Sequence, residues 1–200
     1  MKKIILISGD PNSINSEIIV KSWRSLNSSL KKRLYLISNY DLIKKQFKRL
    51  KFNKKIVEVD SVSDKSNDPS MKILNVDCNY KNPFNVSRKN SSKFVNDCLN
   101  LAHKISLDTN ILGMINCPID KTLLNRKNIG VTELLAAKCK IKNKSEVMLI
   151  KNKRFSVSPI TTHIDIKNVS KRIKYKTIVN KVLTINNFFK KILNKKPNIG

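Results

Sequence analysis

Glycine is scarce in this chain, which has four glycines and six prolines in 200 residues. The glycines are too far apart to build a G-x-G-x-x-G dinucleotide fingerprint or a phosphate-binding P-loop. No proline- and glycine-rich segment divides the sequence, so we expect residues 1–200 to form one portion of a protein with no clear internal linker.

Histidine is scarce and paired cysteine motifs are absent, which limits the metal sites that this sequence can form. The two histidines are His103 and His163, and a catalytic metal site needs about three protein ligands. The four cysteines lie far apart without a C-x-x-C pair, which argues against a zinc knuckle and favours buried thiols in a reducing compartment. These cysteines are Cys78, Cys98, Cys117 and Cys139.

Long apolar runs are absent as well. The opening MKKIILISGD holds a short apolar run that Gly9, Asp10 and Pro11 interrupt, too short for the core of a secretory signal peptide. No stretch approaches the length of a membrane span. We therefore predict a cytoplasmic protein without a membrane partner.

Acidic residues are few, 14 against 41 lysines and arginines, which gives a formal charge of +27. This excess suggests an anionic partner. Lysine supplies most of it, however, and nucleic-acid readers rely on arginine forks and aromatic rings, which here reach only 6% of the chain. A lysine-rich solvated surface explains the charge equally well, so we do not predict nucleic acid as the partner.

What the sequence does contain is an alternation of short apolar runs and helix-period segments. Such alternation predicts an α/β fold with a largely parallel sheet. The predicted strands cover residues 3–8, 33–38, 55–59, 72–76 and 110–116, and a later hairpin joins 146–150 to 154–160. The predicted helices cover residues 14–26, 41–50, 91–107, a segment opening at 132, and 176–195.

Helical spacing also predicts which side of each helix faces inward. In the first helix the predicted stripe is Ile14, Ile18, Lys21 and Leu26, with Trp23 nearby. In the last helix it is Ile178, Val182, Ile185, Phe189 and Ile192. Thr132 is the predicted N-cap of its helix, with Glu133 in the first turn.

Three polar segments follow predicted strands, where α/β proteins keep their chemistry. In ISGDPNSINSEII, Asp10 and Asn12 either bond the local backbone or face a ligand. In INCPIDKTLLNRKNIGVTELLA, Lys121 is either a point charge for a phosphate or an ordinary solvated lysine. In PITTHIDIKNV, His163 is a structural histidine, a general base or a metal ligand.

The order of these segments resembles the 4-hydroxythreonine-4-phosphate dehydrogenase (PdxA) family of vitamin B6 biosynthesis. That family has a GDPAGIGPE-like segment after the first strand, an AP-I-N-K loop, a GHTE motif opening a helix, and a TTH segment. The match in order and spacing extends over nearly the whole chain. Each motif alone is weak, whereas their combination is specific.

The resemblance implies a three-layer α/β/α fold like that of isocitrate dehydrogenase, and a homodimer with a shared active site. It implies an oxidoreductase that uses NAD (or NADP) and a divalent metal (Zn, Mg or Co) to oxidise and decarboxylate 4-phosphooxy-L-threonine, a small phosphorylated substrate, in pyridoxal 5'-phosphate synthesis. By correspondence, Asp10 and Lys121 are catalytic, Val131 and Thr132 bind substrate, and His163 is a metal ligand. Cofactor-binding residues remain unassigned.

The chain departs from the family pattern at several positions. Val131 replaces the histidine of GHTE, and GDPAGIGPE has become GDPNSINSE. The family's other two metal histidines belong to segments beyond residue 200, so we expect a C-terminally truncated chain that is inactive alone. The alternative is a degenerate, non-catalytic protein that binds anions or nucleic acid.

Overall fold

The computed structural model describes residues 1–62, 69–124, 130–140, 145–152, 154–161 and 164–200. The chain separates into two compact units, Met1–Val131 and Thr132–Gly200. Each unit is described by itself.

The first unit is built on a parallel sheet of five strands in the order β3-β4-β2-β1-β5. Each strand is a short run rich in apolar residues, as expected for a sheet covered on both faces. The strands are β1 (Lys3–Ile7), β2 (Leu34–Ser38), β3 (Ile56–Val59), β4 (Met71–Asn75) and β5 (Ile111–Asn116).

Four helices and one 3₁₀ turn accompany these strands in the described part of this unit. The helices are α1 (Asn15–Ser25), α2 (Ser28–Arg33), α3 (Tyr40–Arg49) and α4 (Arg88–Ser106), and the turn is Lys121–Leu123. Asparagine or serine caps three of the helices, because the side chains of Asn27, Asn39 and Ser87 accept hydrogen bonds from backbone amides of the first turn.

One face of the sheet is covered by α1 and α3. Trp23 of α1 and Phe47 of α3 belong to one buried cluster with Leu34 and Leu36 of β2 and Ile73 of β4. Phe47 also meets Phe52 edge to face, with ring centroids 5.0 Å apart. Aromatic rings therefore contribute to the apolar packing that holds this layer in place.

The other face is covered by α4. Side chains alternate along a strand, so the buried Tyr35 and Ile37 of β2 lie opposite the face that carries Leu34 and Leu36. The helix α4 packs along β1, β2 and β5 and buries Phe94 among its apolar residues. The predicted three-layer α/β/α arrangement is thus confirmed.

The stripe predicted for the first helix was right for Leu26 and the nearby Trp23, which pack in the buried cluster, and wrong for Ile14 and Lys21, which are exposed. Ile14 is 67% exposed, whereas Ile19, Val20 and Trp23 are buried. Ile14 lies at the N-cap position, before the first helical turn, and the bulky Trp23 orients the helix toward the sheet. The short helix α2 was not predicted, because six residues carry too little periodicity to detect.

The second unit contains most of α5 (Val131–Lys138), a short hairpin and two later helices. The hairpin pairs β6 (Ile150–Lys151) with β7 (Ser156–Val157), and the helices are α6 (Val169–Arg172) and α7 (Tyr175–Ile192). The predicted final helix is confirmed, although no residue of α7 is fully buried. The predicted hairpin is also present, but its strands are only two residues long and the first begins at Ile150 rather than at Glu146. Ile178, Val182, Ile185 and Phe189 line a groove of about 540 Å³, while Ile192 is 57% exposed, contrary to expectation.

Among the described residues, no helix combines the length and the apolar character needed to cross a membrane. Cys98 and Cys117 are buried thiols, as predicted, whereas Cys78 is half-buried and Cys139 is exposed, contrary to expectation. Burial raises the pKa of Cys98 and of Cys117, and that of Cys117 rises to about 11.

The corrected orientation of α1 gives a stability prediction. Ile19→Ala should lower the free energy of unfolding by about 2–5 kcal/mol, because it leaves a cavity in the core. Ile14→Ala should change it by less than about 0.5 kcal/mol, because Ile14 is on the surface. Urea unfolding of both variants measures the difference, and equal effects would contradict this orientation.

Candidate active site at the carboxyl edge of the sheet

The loops that follow β1 and β5 meet at one edge of the sheet. The two strands are parallel neighbours, and the pairing continues past their ends, where the Cys117 amide donates to the Ile7 carbonyl at 2.9 Å. The Asp10 amide then donates to the Pro118 carbonyl at 3.4 Å. Ligands of open α/β sheets bind beyond this carboxyl edge. The fold therefore brings the loop of Asp10 beside the loop of Lys121.

Gly9 makes this close approach possible. Its φ angle is +73°, in the left-handed region that side-chain-bearing residues rarely adopt. A Cβ atom at this position would lie 2.6 Å from Asn15 Nδ2 and 2.6 Å from the Pro118 carbonyl oxygen. Backbone conformation and space both require glycine here.

Asp10 uses its carboxylate to shape the loop. Its Oδ1 atom accepts a hydrogen bond from the Asn12 amide at 2.9 Å, and its own carbonyl accepts one from the Ser13 amide at 3.3 Å. This is the local backbone bonding that the sequence allowed as one alternative. A catalytic role for Asp10 stays a prediction.

Asn12 joins the same loop to the segment before α4. Its Oδ1 accepts from the Val86 amide at 2.8 Å, and its Nδ2 donates to the Val86 carbonyl at 2.8 Å. A single side chain thus satisfies both polar groups of one backbone residue. Gln46 of α3 adds a second tie, with Nε2 donating to the carbonyls of Pro11 and Pro83 at 2.9 and 2.7 Å.

The loop of Lys121 is anchored on α4. The Leu123 carbonyl accepts hydrogen bonds from Ser92 Oγ at 2.6 Å and from Asn96 Nδ2 at 2.9 Å. Lys121 opens the 3₁₀ turn and is exposed. Its ammonium group is therefore available to an incoming anion, although its catalytic role is untested.

Asp120 caps the turn that Lys121 opens. Its Oδ1 accepts from the Thr122 amide at 2.8 Å, and this hydrogen bond is the main reason why the pKa of the Asp120 carboxyl is lowered. A lowered folded-state pKa stabilises the turn above the unfolded-state pKa. That contribution is lost as the pH falls through the folded-state value.

Three buried oxygens at this edge have no hydrogen-bond partner among the described residues. They are Ser8 Oγ, Ser38 Oγ and Asn15 Oδ1. Ser8 and Ser38 directly follow the paired residues Ile7 and Ile37, so they lie side by side at the ends of β1 and β2. Unsatisfied buried polar atoms are few in native proteins, and functional sites are one place where they occur.

The remaining predicted site residues follow later in the chain, at the start of α5 and beyond. Val131 is the first residue of α5 and half-buried, and Thr132 follows it, exposed, in the second unit. Thr132 is the second residue of the helix, so the prediction that it is the N-cap was wrong. Glu133 lies in the first helical turn, as predicted. His163 lies outside the described residues.

Within the described ranges, no three histidine, cysteine, aspartate or glutamate side chains are grouped to hold a metal ion. Asn15 and Asn96 were not predicted to contribute to this site, although they donate hydrogen bonds to carbonyls of separate segments. Their signal is weak, because asparagine is frequent here and only the three-dimensional arrangement reveals its partners. For Asn15 the one hint was its position, which is a glycine in the resembled family segment.

The sequence of this chain is similar to those of proteins of one known family. A sequence model of the family described as "Pyridoxal phosphate biosynthetic protein PdxA" matches residues 14–200. The chain belongs to this family. A 4-hydroxythreonine-4-phosphate dehydrogenase from Sulfurihydrogenibium sp. (strain YO3AOP1) is 30% identical over 197 residues, covering 95% of this chain and 58% of the relative. Another from Pseudoalteromonas translucida is 23% identical and covers 86% of this chain and 52% of the relative.

Solved structures agree on the fold. A 4-hydroxythreonine-4-phosphate dehydrogenase from Burkholderia phymatum superposes with a TM-score of 0.82 at 18% identity, over 94% of this chain and 58% of that one. The enzyme of the same name from Klebsiella pneumoniae gives a TM-score of 0.80 at 19% identity, over 95% and 60%.

The chain spans little more than half the length of the curated relatives that it matches. These matches favour membership of the PdxA family over the alternative of a degenerate protein that binds anions or nucleic acid.

The tight approach at Gly9 gives a second stability prediction. Gly9→Ala should lower the free energy of unfolding by about 2–4 kcal/mol, since it combines a strained positive φ with overpacking. Gly113→Ala is the matched control, because a Cβ atom there would meet nothing within 4 Å. It should have an effect within about 1 kcal/mol. Urea unfolding compares the two, and a harmless Gly9→Ala would contradict the described joint.

Proposed function

We propose that the protein containing this chain is a 4-hydroxythreonine-4-phosphate dehydrogenase. It would oxidise the secondary alcohol of 4-phosphooxy-L-threonine with NAD (or NADP) and then release the substrate carboxylate as CO₂, in the synthesis of pyridoxal 5'-phosphate. The observation that carries the proposal is the family match over residues 14–200. The joint between the loops of Asp10 and Lys121 supports it, because it lies where α/β enzymes bind their substrates.

Lys121 is suited to hold an anionic group of the substrate. It is exposed, and its turn is fixed at one end by Asp120 and at the other by Ser92 and Asn96 through Leu123. An ammonium group on an anchored turn can attract and orient a phosphate or carboxylate. The large positive charge of the chain would also raise the rate at which such substrates arrive.

Asp10 is the second catalytic residue that we propose, together with Lys121. The hydrogen bond from the Asn12 amide to its Oδ1 atom fixes the direction of the carboxylate. A carboxylate with a fixed orientation can accept a hydrogen bond from a substrate hydroxyl group and hold or receive its proton. The family resemblance also assigns substrate binding to Thr132, exposed in the first turn of α5, and to Val131, which stands at the family's histidine position.

The family resemblance also assigns a divalent metal (Zn, Mg or Co), with His163 as one ligand. When bound, such a metal polarises an alcohol oxygen and stabilises negative charge on it. The described residues supply no grouped set of three ligands, so no step is derived through the metal. We further propose a homodimer that shares its active site and acts in the cytoplasm, where the cysteines would remain thiols.

The proposal is tested by following NADH formation from 4-phosphooxy-L-threonine with the complete gene product and each divalent metal. Lys121→Met should lower kcat/KM by roughly 10²-fold, because it removes a charge contact to an anionic group. Lys104→Met, an equal change at an exposed lysine of α4, serves as the control and should leave kcat/KM unchanged. No NADH with any of these metals would sink the proposed function, and equal effects of the two variants would remove Lys121 from it.

A further inference from the structure

Asn15 occupies a position that is glycine in the GDPAGIGPE-like segment, so here a side chain stands where the resembled pattern has none. We propose that Asn15 is a positioning residue whose side-chain amide holds the loop of Asp10 in register with the loop of Lys121. The consequence for catalysis rests on the proposed function, whereas the holding of the two loops does not.

Asn15 makes a pair of hydrogen bonds that connect the two loops. Its Nδ2 atom donates to the Pro118 carbonyl at 2.8 Å and to the Asp10 carbonyl at 3.2 Å. Asn15 is 2% exposed, so water does not compete readily for these bonds. One amide group therefore bridges the backbones of two loops that are far apart in sequence.

The nitrogen of the Asn15 amide, rather than its oxygen, connects the loops. Asn15 Oδ1 is buried and has no hydrogen-bond partner among the described residues. The donor nitrogen makes both bridging bonds, so the donor is the feature that the loops require. An aspartate at this position has nearly the same shape but would place carboxylate oxygens against two carbonyl oxygens.

The side chain of Asn15 occupies the space beside Gly9. The amide nitrogen lies 2.6 Å from the place that a Cβ atom of residue 9 would occupy, so only glycine leaves room for it. The bridge thus uses the space that Gly9 provides. The loop has lost inner glycines of the family pattern, yet it is pinned by a side chain that fits the glycine it keeps.

Lys121 lies between two points at which its loop is held by side-chain hydrogen bonds. Asn15 fixes the loop at Pro118, before Lys121, and Ser92 and Asn96 fix it at Leu123, after Lys121. Without the first anchor, the position of the ammonium group relative to Asp10 would be less well defined. A displacement of about 1 Å at a reacting group can cost roughly 10²-fold in rate.

Thiol labelling gives a direct test of the bridge. Cys117 is buried next to Pro118, and Cys98 is buried in α4, so Cys117 reports opening of the joint and Cys98 reports global unfolding. Labelling at each cysteine is followed by mass spectrometry of peptides in Asn15→Asp, Asn15→Ala and the unaltered protein. Asn90→Ala is the matched control, because Asn90 Nδ2 donates to the Asn79 carbonyl at 2.7 Å, away from the joint.

We expect Asn15→Asp to raise the labelling rate of Cys117, relative to Cys98, by at least about tenfold, as loss of two buried hydrogen bonds would. Asn15→Ala should show a smaller increase, and Asn90→Ala none. In the complete gene product, Asn15→Asp should also lower kcat by roughly 10- to 100-fold with little change in the KM for NAD.

The outcomes separate the two claims. If Cys117 is labelled no faster in Asn15→Asp than in Asn90→Ala, Asn15 does not hold the loops and the inference is wrong. Faster labelling with an unchanged kcat would reduce Asn15 to a structural residue, which overturns the positioning role. If the unaltered protein forms no NADH, the proposed function fails, and labelling still decides whether Asn15 holds the loops.

Discussion

The candidate site depends on the hydrogen-bonded joint between the carboxyl ends of β1 and β5. Backbone pairing brings Ile7 beside Cys117, and Gly9 then allows the first loop to cross closely over Pro118. Asp10 and Lys121, the proposed catalytic residues, lie in the two loops that this joint aligns. The joint in turn rests on two faces of packed apolar side chains, since parallel strands are stable only when helices cover both sides.

Asparagine side chains connect these loops through hydrogen bonds to the backbone. Asn12 pairs with the backbone of Val86, Asn15 bridges Asp10 and Pro118, and Asn96 reaches Leu123 from α4. Each adds a hydrogen bond to a backbone carbonyl, so the loops are held by side chains as well as by backbone pairing. A loop that lacks the inner glycines can therefore remain ordered, because amide side chains add hydrogen bonds to the close backbone approach that Gly9 allows.

The basic character of the chain is a separate property from its site. Exposed lysines occur in both units, for example at Lys104 of α4 and at Lys176, Lys190 and Lys191 of α7. Surface charge of this kind affects solubility and the arrival of anionic molecules rather than the fold. It is compatible with a phosphorylated substrate without specifying one, so the assignment of function depends on the family match and on the loops.

The sequence by itself determined the fold class, the five strands of the sheet and most helices, because burial imposes a period that apolar residues must follow. It also located Asp10 and Lys121 in loops after strands. Tertiary structure alone decided that Trp23 and not Ile14 turns α1 toward the sheet, that β5 pairs with β1, and that Asn15 joins their loops. Such contacts link residues distant in sequence, and no local pattern encodes which strand becomes the neighbour of which.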